Sequence, residues 1–237
     1  RNMIKLSGLS KQYGKTFVVK NADALFPCSK VTSIIGPNGA GKSTLLSMAC
    51  RLTKSDAGEV LIEDKLLAQW DSKTLAKKLA VLRQSNNINM RFTVRELVSF
   101  GRFPHSQGKL TAEDQCIISD SSARLGITGI EGKYLDELSG GQRQMAFIAM
   151  VVAQDTDYVF LDEPLNNLDI KHSVEIMRTL RNLAHNLNKA VVIVIHDINF
   201  ASVYSDNIVA MKNGEVFEIP FDIINVNGQK VCLYFNA

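Results

Sequence analysis

The order of hydrophobic and polar residues predicts alternating strands and helices. At the beginning, MIKLSGLSKQYG and FVVKNADALF alternate apolar and polar residues, which is typical of antiparallel strands. Further along, GEVLIEDKLL and NIVAMKNGEVFEI predict hairpin strands. The short runs KVTSIIG, AVLRQ, YVFLDEP and AVVIVIHD predict buried strands, and the most continuously apolar of them are expected at the centre of a parallel sheet covered on both faces.

Between about residue 85 and residue 154 the spacing becomes helical, in FTVRELVSFGRF, LTAEDQCIISDSSARLG and the stretch after Gly141. HSVEIMRTLRNLAHNLN predicts an amphipathic helix between two buried strands. We therefore predict an α/β fold with a largely parallel sheet, an N-terminal antiparallel β subdomain and an inserted helical subdomain. One domain is expected over 1–237. Its parts are a core and β subdomain (1–84 and 155–219), a helical subdomain (85–154) and a C-terminal segment (220–237).

Composition narrows the class of protein. Of the 237 residues, 46% are hydrophobic and 22% charged, which indicates a folded globular chain rather than a disordered one. A net charge of +3 is too small to predict a nucleic-acid partner. The four cysteines lie far apart, so we expect reduced, buried thiols. The opening residues lack the apolar core of a secretory signal, and no run approaches the roughly 20 apolar residues of a membrane span. A soluble protein that sits on a membrane protein fits these features.

GPNGAGKS (36–43) has the spacing of a phosphate-binding loop and stands between a predicted strand and the helix-like STLLSMACRL. Its glycines let backbone N–H groups turn towards phosphate oxygens, and the following helix adds its positive N-terminal dipole. Lys42 supplies a cation for the β- and γ-phosphates, and the Ser43 hydroxyl can bind Mg²⁺. A flexible surface loop is the alternative. The predicted nucleotide-binding residues here are Gly36, Pro37, Asn38, Gly39, Ala40, Gly41, Lys42, Ser43 and Thr44.

Acidic and imidazole side chains follow two predicted strands of the same sheet. Asp162 is placed to hold Mg²⁺, and Glu163 to polarise an attacking water. His196 ends the next strand, at the sheet edge where ligands bind, and we interpret it as a sensor of the γ-phosphate. A solvated acidic pair and a capping histidine are the alternatives. His105, His172 and His185 are interpreted as ordinary surface residues.

These features, with LSGGQ (138–142), resemble the ATPase subunit of ATP-binding cassette (ABC) transporters over nearly the whole chain. In that resemblance GPNGAGKS is the Walker A loop, LSGGQ the signature, VFLDE the Walker B strand, NNLD (166–169) the D-loop and His196 the switch histidine. Gln84 matches the Q-loop glutamine, and Tyr13 matches the aromatic residue that stacks on adenine. The resemblance implies ATP and Mg²⁺, with Ser43, Gln84 and Asp162 as metal ligands and Glu163, His196, Gln84 and Lys42 as the catalytic set.

The resemblance also implies a head-to-tail dimer of two copies, with each ATP between the Walker A loop of one chain and the signature of the other. Ser139, Gly140, Gly141 and Gln142 are expected to face the partner's γ-phosphate, and Asp169 to communicate between the two sites. The glycines of the signature permit close approach, and the dipole of the following helix favours the same charge.

SFGRFPH (99–105) and DEPLNNLDIKHS are similar to stretches in the ATPases of bacterial importers of iron–siderophore complexes, haem and cobalamin. Over its whole length the sequence most resembles the ferric-siderophore branch of these importers. The implied partners are integral membrane permease subunits, received by residues 86–102, and indirectly a periplasmic or surface siderophore-binding protein. The implied location is peripheral, on the cytoplasmic face of the bacterial inner membrane. Haem or cobalamin import is the nearest alternative.

Three departures from the family pattern stand out. PCSK replaces a glycine-containing turn before the Walker A strand, and Met145 and Met150 occupy positions where arginine is common. After NGEVFEI we expect a segment of roughly 20 to 30 residues to be missing near Ile219–Pro220, as with long mobile loops. Competing classes are a soluble cassette ATPase of DNA repair or ribosomes, disfavoured by the lack of sustained heptads and of a second cassette, and a P-loop kinase, which leaves LSGGQ unexplained.

Overall fold

The computed structural model describes residues 2–84, 91–166, 168–218, 223–226 and 229–232. Within these ranges the chain forms twelve strands and eight α-helices. The strands are β1 Met3–Tyr13, β2 Thr16–Pro27, β3 Lys30–Ile35, β4 Ala57–Ile62, β5 Lys65–Leu66, β6 Leu79–Leu82, β7 Tyr158–Asp162, β8 Ala190–Val194, β9 Asn207–Lys212, β10 Glu215–Glu218, β11 Ile223–Val226 and β12 Gln229–Cys232. The helices are α1 Lys42–Ala49, α2 Ser72–Lys78, α3 Val94–Phe100, α4 Phe103–Ser106, α5 Ala112–Arg124, α6 Gly140–Ala153, α7 Ile170–Leu187 and α8 Ile198–Tyr204.

A six-stranded sheet in the order β10-β9-β3-β8-β7-β6 forms the centre of the molecule. The pairs β3–β8, β3–β9, β7–β8 and β6–β7 are parallel, and β10 closes the edge by an antiparallel hairpin with β9. The central strands carry their C-terminal ends to one edge. The phosphate loop after β3, the acidic pair at the end of β7 and the histidine after β8 therefore meet there, as the sequence predicts.

Side chains of the central strands alternate between two hydrophobic cores. In β7, Tyr158 and Phe160 pack with α1 and the β subdomain, whereas Val159 and Leu161 pack with α6 and α7. Every residue of β7 and β8 is buried. This burial on both faces explains why these strands are continuously apolar instead of alternating with polar residues.

The β subdomain is a separate four-stranded sheet in the order β2-β1-β4-β5, in which every pairing is antiparallel. Its inward residues, among them Ile4, Leu6 and Phe26, are fully or almost fully buried on the α1 side of the central sheet. The N-terminal antiparallel strands predicted from the sequence are confirmed.

The helical region is held together where α3 and α4 meet the end of α6. Gly101 ends α3, and a methyl group on it would lie 2.1 Å from the backbone oxygen of Met150. The next residue, Arg102, is buried, and its guanidinium donates to Asp114 (2.8 Å) and to the backbone oxygen of Ala153 (2.9 Å). Close backbone packing and the hydrogen bond to Ala153 thus fix the end of α3 against α6, and the buried ion pair connects the same segment to α5.

The rest of the GRFPH stretch continues this contact. The His105 ring lies 3.0 Å from the backbone oxygen of Gln154, so it is not the ordinary surface histidine predicted. The backbone N–H of Thr111 and the guanidinium of Arg102 lower the pKa of Asp114 from 3.8 to about 2. In this chain the stretch that resembles siderophore importers therefore has a physical role inside the helical subdomain.

Several expectations differ from the structure. Cys116 is exposed, so the prediction of buried thiols is wrong there, although Cys50 is buried and Cys28 half-buried. The PCSK turn has no glycine but still includes a residue with left-handed backbone, because Ser29 has φ 61°. Met145 and Met150 lie in α6, where Met145 is buried in the hydrophobic core and Met150 packs against it. The helices α2 and α8, which have seven residues each, were not predicted from the sequence.

The segment expected to be missing near Ile219–Pro220 lies outside the described residues, and so does the part of the permease-docking stretch at 86–90. Among the residues that the structure does describe, no helix is both long and apolar enough to cross a bilayer.

Candidate nucleotide-binding and hydrolysis site

The phosphate loop depends on glycine at two points of close backbone approach. A methyl group on Gly36 would lie 2.1 Å from the backbone oxygen of Met211, and one on Gly41 would lie 2.3 Å from that of Val18. Both glycines also have positive φ, 148° and 98°. Gly39 has φ 77° with open space around it. The loop is therefore packed at its two ends and open to a ligand at its middle.

Lys42, the first residue of α1, points back into the loop and donates to the backbone oxygens of Gly36 (2.9 Å) and Pro37 (3.0 Å). Burial lowers the pKa of its ammonium, while the carboxylates of Glu163 and Asp162 act in the opposite direction. Burial deprives the ammonium of the water that would stabilise its charge, and the neighbouring carbonyls are neutral. A bound phosphate would supply the missing negative charge, so this site favours an anion.

Ser43 and Asp162 bring two hard oxygen ligands together. The Ser43 hydroxyl donates to the Asp162 carboxylate at 2.9 Å. Burial raises the pKa of Asp162, and the hydrogen bond from Ser43 partly offsets this. A divalent cation would favour the ionised carboxylate, and oxygen atoms are the ligands that Mg²⁺ prefers. The donor set therefore fits the expected Mg²⁺.

Glu163 is the centre of a polar cluster after β7. Its carboxylate is 8% exposed, and one oxygen lies 2.6 Å from Nε2 of His196. The other oxygen accepts from the side-chain amides of Gln84 (2.6 Å) and Asn166 (2.5 Å). Its backbone has φ 51°, and its N–H donates to the Val194 backbone oxygen on the neighbouring strand. A strained backbone held by several contacts is typical of functional positions.

A cleft of about 210 Å³ opens beside this cluster, with Glu163, Asn166, His196 and Asp197 on its walls. Of the predicted catalytic residues, Glu163, Gln84 and His196 are thus brought into direct contact. Lys42 and Asp162 belong to the adjoining phosphate loop and β7, and Glu163 acts electrostatically on both.

Tyr13 lies at the end of β1 with 55% of its surface exposed. Lys11 Nζ lies 5.5 Å from its ring centroid. An exposed ring on a rigid strand end can stack on a base, so its stacking on adenine stays a prediction.

The signature begins α6. Ser139 is the N-cap: its hydroxyl accepts from the backbone N–H of Gln142, and the Gln142 side chain accepts from the backbone N–H of Ser139, both at 3.2 Å. Gly140 has open space where a side chain would be. Serine and glutamine at this spacing form a capping box, which gives LSGGQ a local structural reason in addition to its predicted contact with ATP.

Asp169, in the D-loop, caps α7 by accepting the backbone N–H of His172 at 2.8 Å. The His172 ring also lies against Gly141. The interpretation of His172 as an ordinary surface residue therefore misses a contact between the signature and the D-loop.

Sequence reasoning also missed Asn166 as a partner of Glu163. Its position three residues after Glu163 is the signal that could have indicated a local hydrogen bond. His172 likewise comes three residues after Asp169. This spacing is typical of an N-cap and could have been recognised in the sequence.

The fold and the site define a P-loop nucleotide-binding protein that carries the LSGGQ motif at the start of a separate helix, α6. Residues 19–166 match the family model described as ABC transporter. The petrobactin import ATP-binding protein YclP of Bacillus subtilis is 52% identical over 99% of this chain and 100% of its own length. FatE of Bacillus anthracis, a petrobactin import ATP-binding protein, is 50% identical over 90% of this chain and 86% of its own.

Among solved structures, the dimeric bacterial ABC transporter cassette MJ0796 superimposes with a TM-score of 0.81 at 30% identity, covering 90% of this chain and 96% of that one. The chain therefore belongs to the ABC transporter family. It is an ATP hydrolase of the kind whose activity is coupled to transport.

Proposed function

We propose that this chain is the ATP-hydrolysing subunit of an importer of iron–siderophore complexes, acting on the cytoplasmic face of the cell membrane beneath a permease. The observation that carries the cargo class is the 52% identity to a petrobactin import protein over essentially both chains. The siderophore names of such relatives favour this cargo over haem or cobalamin.

In this proposal Lys42 and the N–H groups of the loop hold the β- and γ-phosphates of ATP. Mg²⁺, held by Ser43, Asp162 and Gln84, would neutralise charge that develops on the phosphates. Glu163 orients and polarises the attacking water, and His196, at 2.6 Å, reports on the γ-phosphate to Glu163. The hydrogen bond from Gln84 to Glu163 connects this base to the start of the permease-docking segment.

The proposed working form is a head-to-tail dimer in which the signature of each chain completes the partner's site. Support comes from the dimeric state named for the related cassette and from the separate placement of the loop and the signature, one before α1 and the other at the start of α6. ATP would join the two copies, and hydrolysis would release them, so that the permease alternates between two conformations.

The test is uptake of labelled ferric petrobactin by cells that lack the gene and are complemented with the parent chain, Glu163→Gln or Glu59→Gln. Glu163→Gln keeps the size of the side chain and one acceptor oxygen for Gln84 and Asn166, but removes the base. We expect turnover and uptake to fall roughly 10²- to 10⁴-fold. Glu59→Gln alters an exposed strand residue and should leave both unchanged.

A labelled ferric hydroxamate complex is the competing cargo, because a hydroxamate importer is also related at 38% identity. Uptake of neither complex through this chain would refute the cargo class. Normal turnover by Glu163→Gln would refute the assignment of the base.

A further inference from the structure

His172 lies where the signature and the D-loop meet. It is in the first turn of α7, and its side chain is 31% exposed. A methyl group on Gly141 would lie 3.3 Å from both Cγ and Nδ1 of His172. Because that spacing is tighter than most side-chain contacts, the imidazole is packed directly against the signature backbone.

The same ring is held by the D-loop. Its Nδ1 lies 2.8 Å from both carboxylate oxygens of Asp169, and the backbone N–H of His172 donates to one of them. Two contacts to one carboxylate fix the ring's orientation. The Asp169 side chain is still 63% exposed, so its outer face remains available.

We propose that His172 is a positioning residue that joins the signature and the D-loop into one unit. This inference rests on the proposed function, in which both elements face the second copy of the chain. A rigid connection lets the signature meet the partner's phosphate with its orientation already set, which reduces the ordering needed to form the dimer.

The two contacts can be removed separately without removing the cap of α7, because the cap uses the backbone N–H of residue 172. His172→Phe keeps a ring against Gly141 but cannot donate to Asp169. His172→Asn keeps a donor near the Nδ1 position but loses the ring. His172→Ala loses both contacts.

The same helix provides a matched control. His185, in the last turn of α7, lies 2.8 Å from the carboxylate of Asp206 and is 35% exposed. It also forms a histidine–aspartate pair, through Nε2 and one carboxylate oxygen, at the opposite end of the helix from the signature.

The experiment measures two quantities in the Glu163→Gln background, in which turnover is expected to be slow. The first is the affinity of the monomer for trinitrophenyl-ATP at low protein concentration. The second is the ATP concentration that gives half-maximal dimer, measured by sedimentation velocity. For all three His172 variants we expect the monomer affinity to stay within twofold and the ATP needed for dimerisation to rise roughly fivefold or more. His185→Ala should match the parent in both.

Dimerisation of His172→Ala at the parent's ATP concentration would overturn the inference. So would a fall in monomer affinity that accounts for the whole change, since His172 would then act on the ATP of its own chain. If one of the Phe and Asn variants behaves like the parent, a single contact suffices and the joining role is wrong. A parent that stays monomeric in saturating ATP would instead contradict the two-chain site of the proposed function itself.

Discussion

Gly101→Ala isolates the energetic role of one close backbone contact in the helical subdomain. Gly101 has negative φ, so alanine introduces no backbone strain there. Its new methyl group would lie 2.1 Å from the Met150 backbone oxygen and 3.1 Å from Ala153 Cβ. Neither neighbour is the end of a flexible side chain, so α3 must move away from α6.

We expect overpacking to cost about 1–3 kcal/mol, offset in part by about 0.4–1 kcal/mol from the reduced entropy of the unfolded chain. Movement of α3 also lengthens the bond from Arg102 to the Ala153 backbone oxygen, which adds to the loss. For a domain of this size a net loss of 1–3 kcal/mol corresponds to a fall in Tm of roughly 2–12 °C.

The assay is urea unfolding at equilibrium, followed by circular dichroism without nucleotide, because bound ATP would stabilise the folded state. Gly129→Ala is the control: it has the same chemistry, no positive φ and no atom within 4 Å of the new methyl group. It should be neutral or slightly stabilising. Equal midpoints for the two variants would refute the close-contact explanation of the GRFPH stretch.

Three further predictions concern the loop, a turn and acid stability. Gly36→Ala should destabilise the chain by about 2–5 kcal/mol in the same urea assay, because it adds a backbone clash to positive-φ strain, whereas Gly39→Ala should show only about 1–2 kcal/mol of strain. Ser29→Val should lose about 1–2 kcal/mol more than Ser29→Gly, because both remove the hydroxyl that donates to Asn188 (3.0 Å) but only the β-branched residue resists left-handed φ; equal losses would contradict the strained turn. Because the pKa of Asp114 is about 2 in the folded chain, its ionised form stabilises above about pH 4, and this contribution disappears as the pH falls towards 2. Asp114→Asn should therefore show a flatter dependence of unfolding free energy on pH in that range, and identical curves would refute it.

The general fold could be predicted because its strands are buried on both faces. In YVFLDEP and AVVIVIHD almost every residue is apolar, and a parallel central strand is the simplest explanation. The short helices α2 and α8 could not be found in the same way. Each buries a single side chain, Leu75 in α2 and Ala201 in α8, which defines no hydrophobic period, whereas the equally short α3 buries three residues and was predicted.

The candidate site was predictable in its residues but not in its contacts. Glu163 and His196 follow different strands, and their shared edge could be inferred from a parallel sheet. The packing of His172 on Gly141 joins elements 31 positions apart in the chain, and no local pattern encodes that distance. Cys116 was misjudged for a similar reason, because which face of α5 is exposed depends on the helices packed against it.

The hydroxyl that caps the start of α6 can form a hydrogen bond with its own helix and another with a ligand at the same time. A hydroxyl oxygen has two lone pairs and one hydrogen, and Ser139 uses a lone pair to hold the N–H of Gln142. The hydroxyl hydrogen can still point outward, so the same group could donate a hydrogen bond to a phosphate without breaking the cap of the helix. Threonine would keep both capacities and alanine neither, so the contact with phosphate proposed above depends on a hydroxyl at this position.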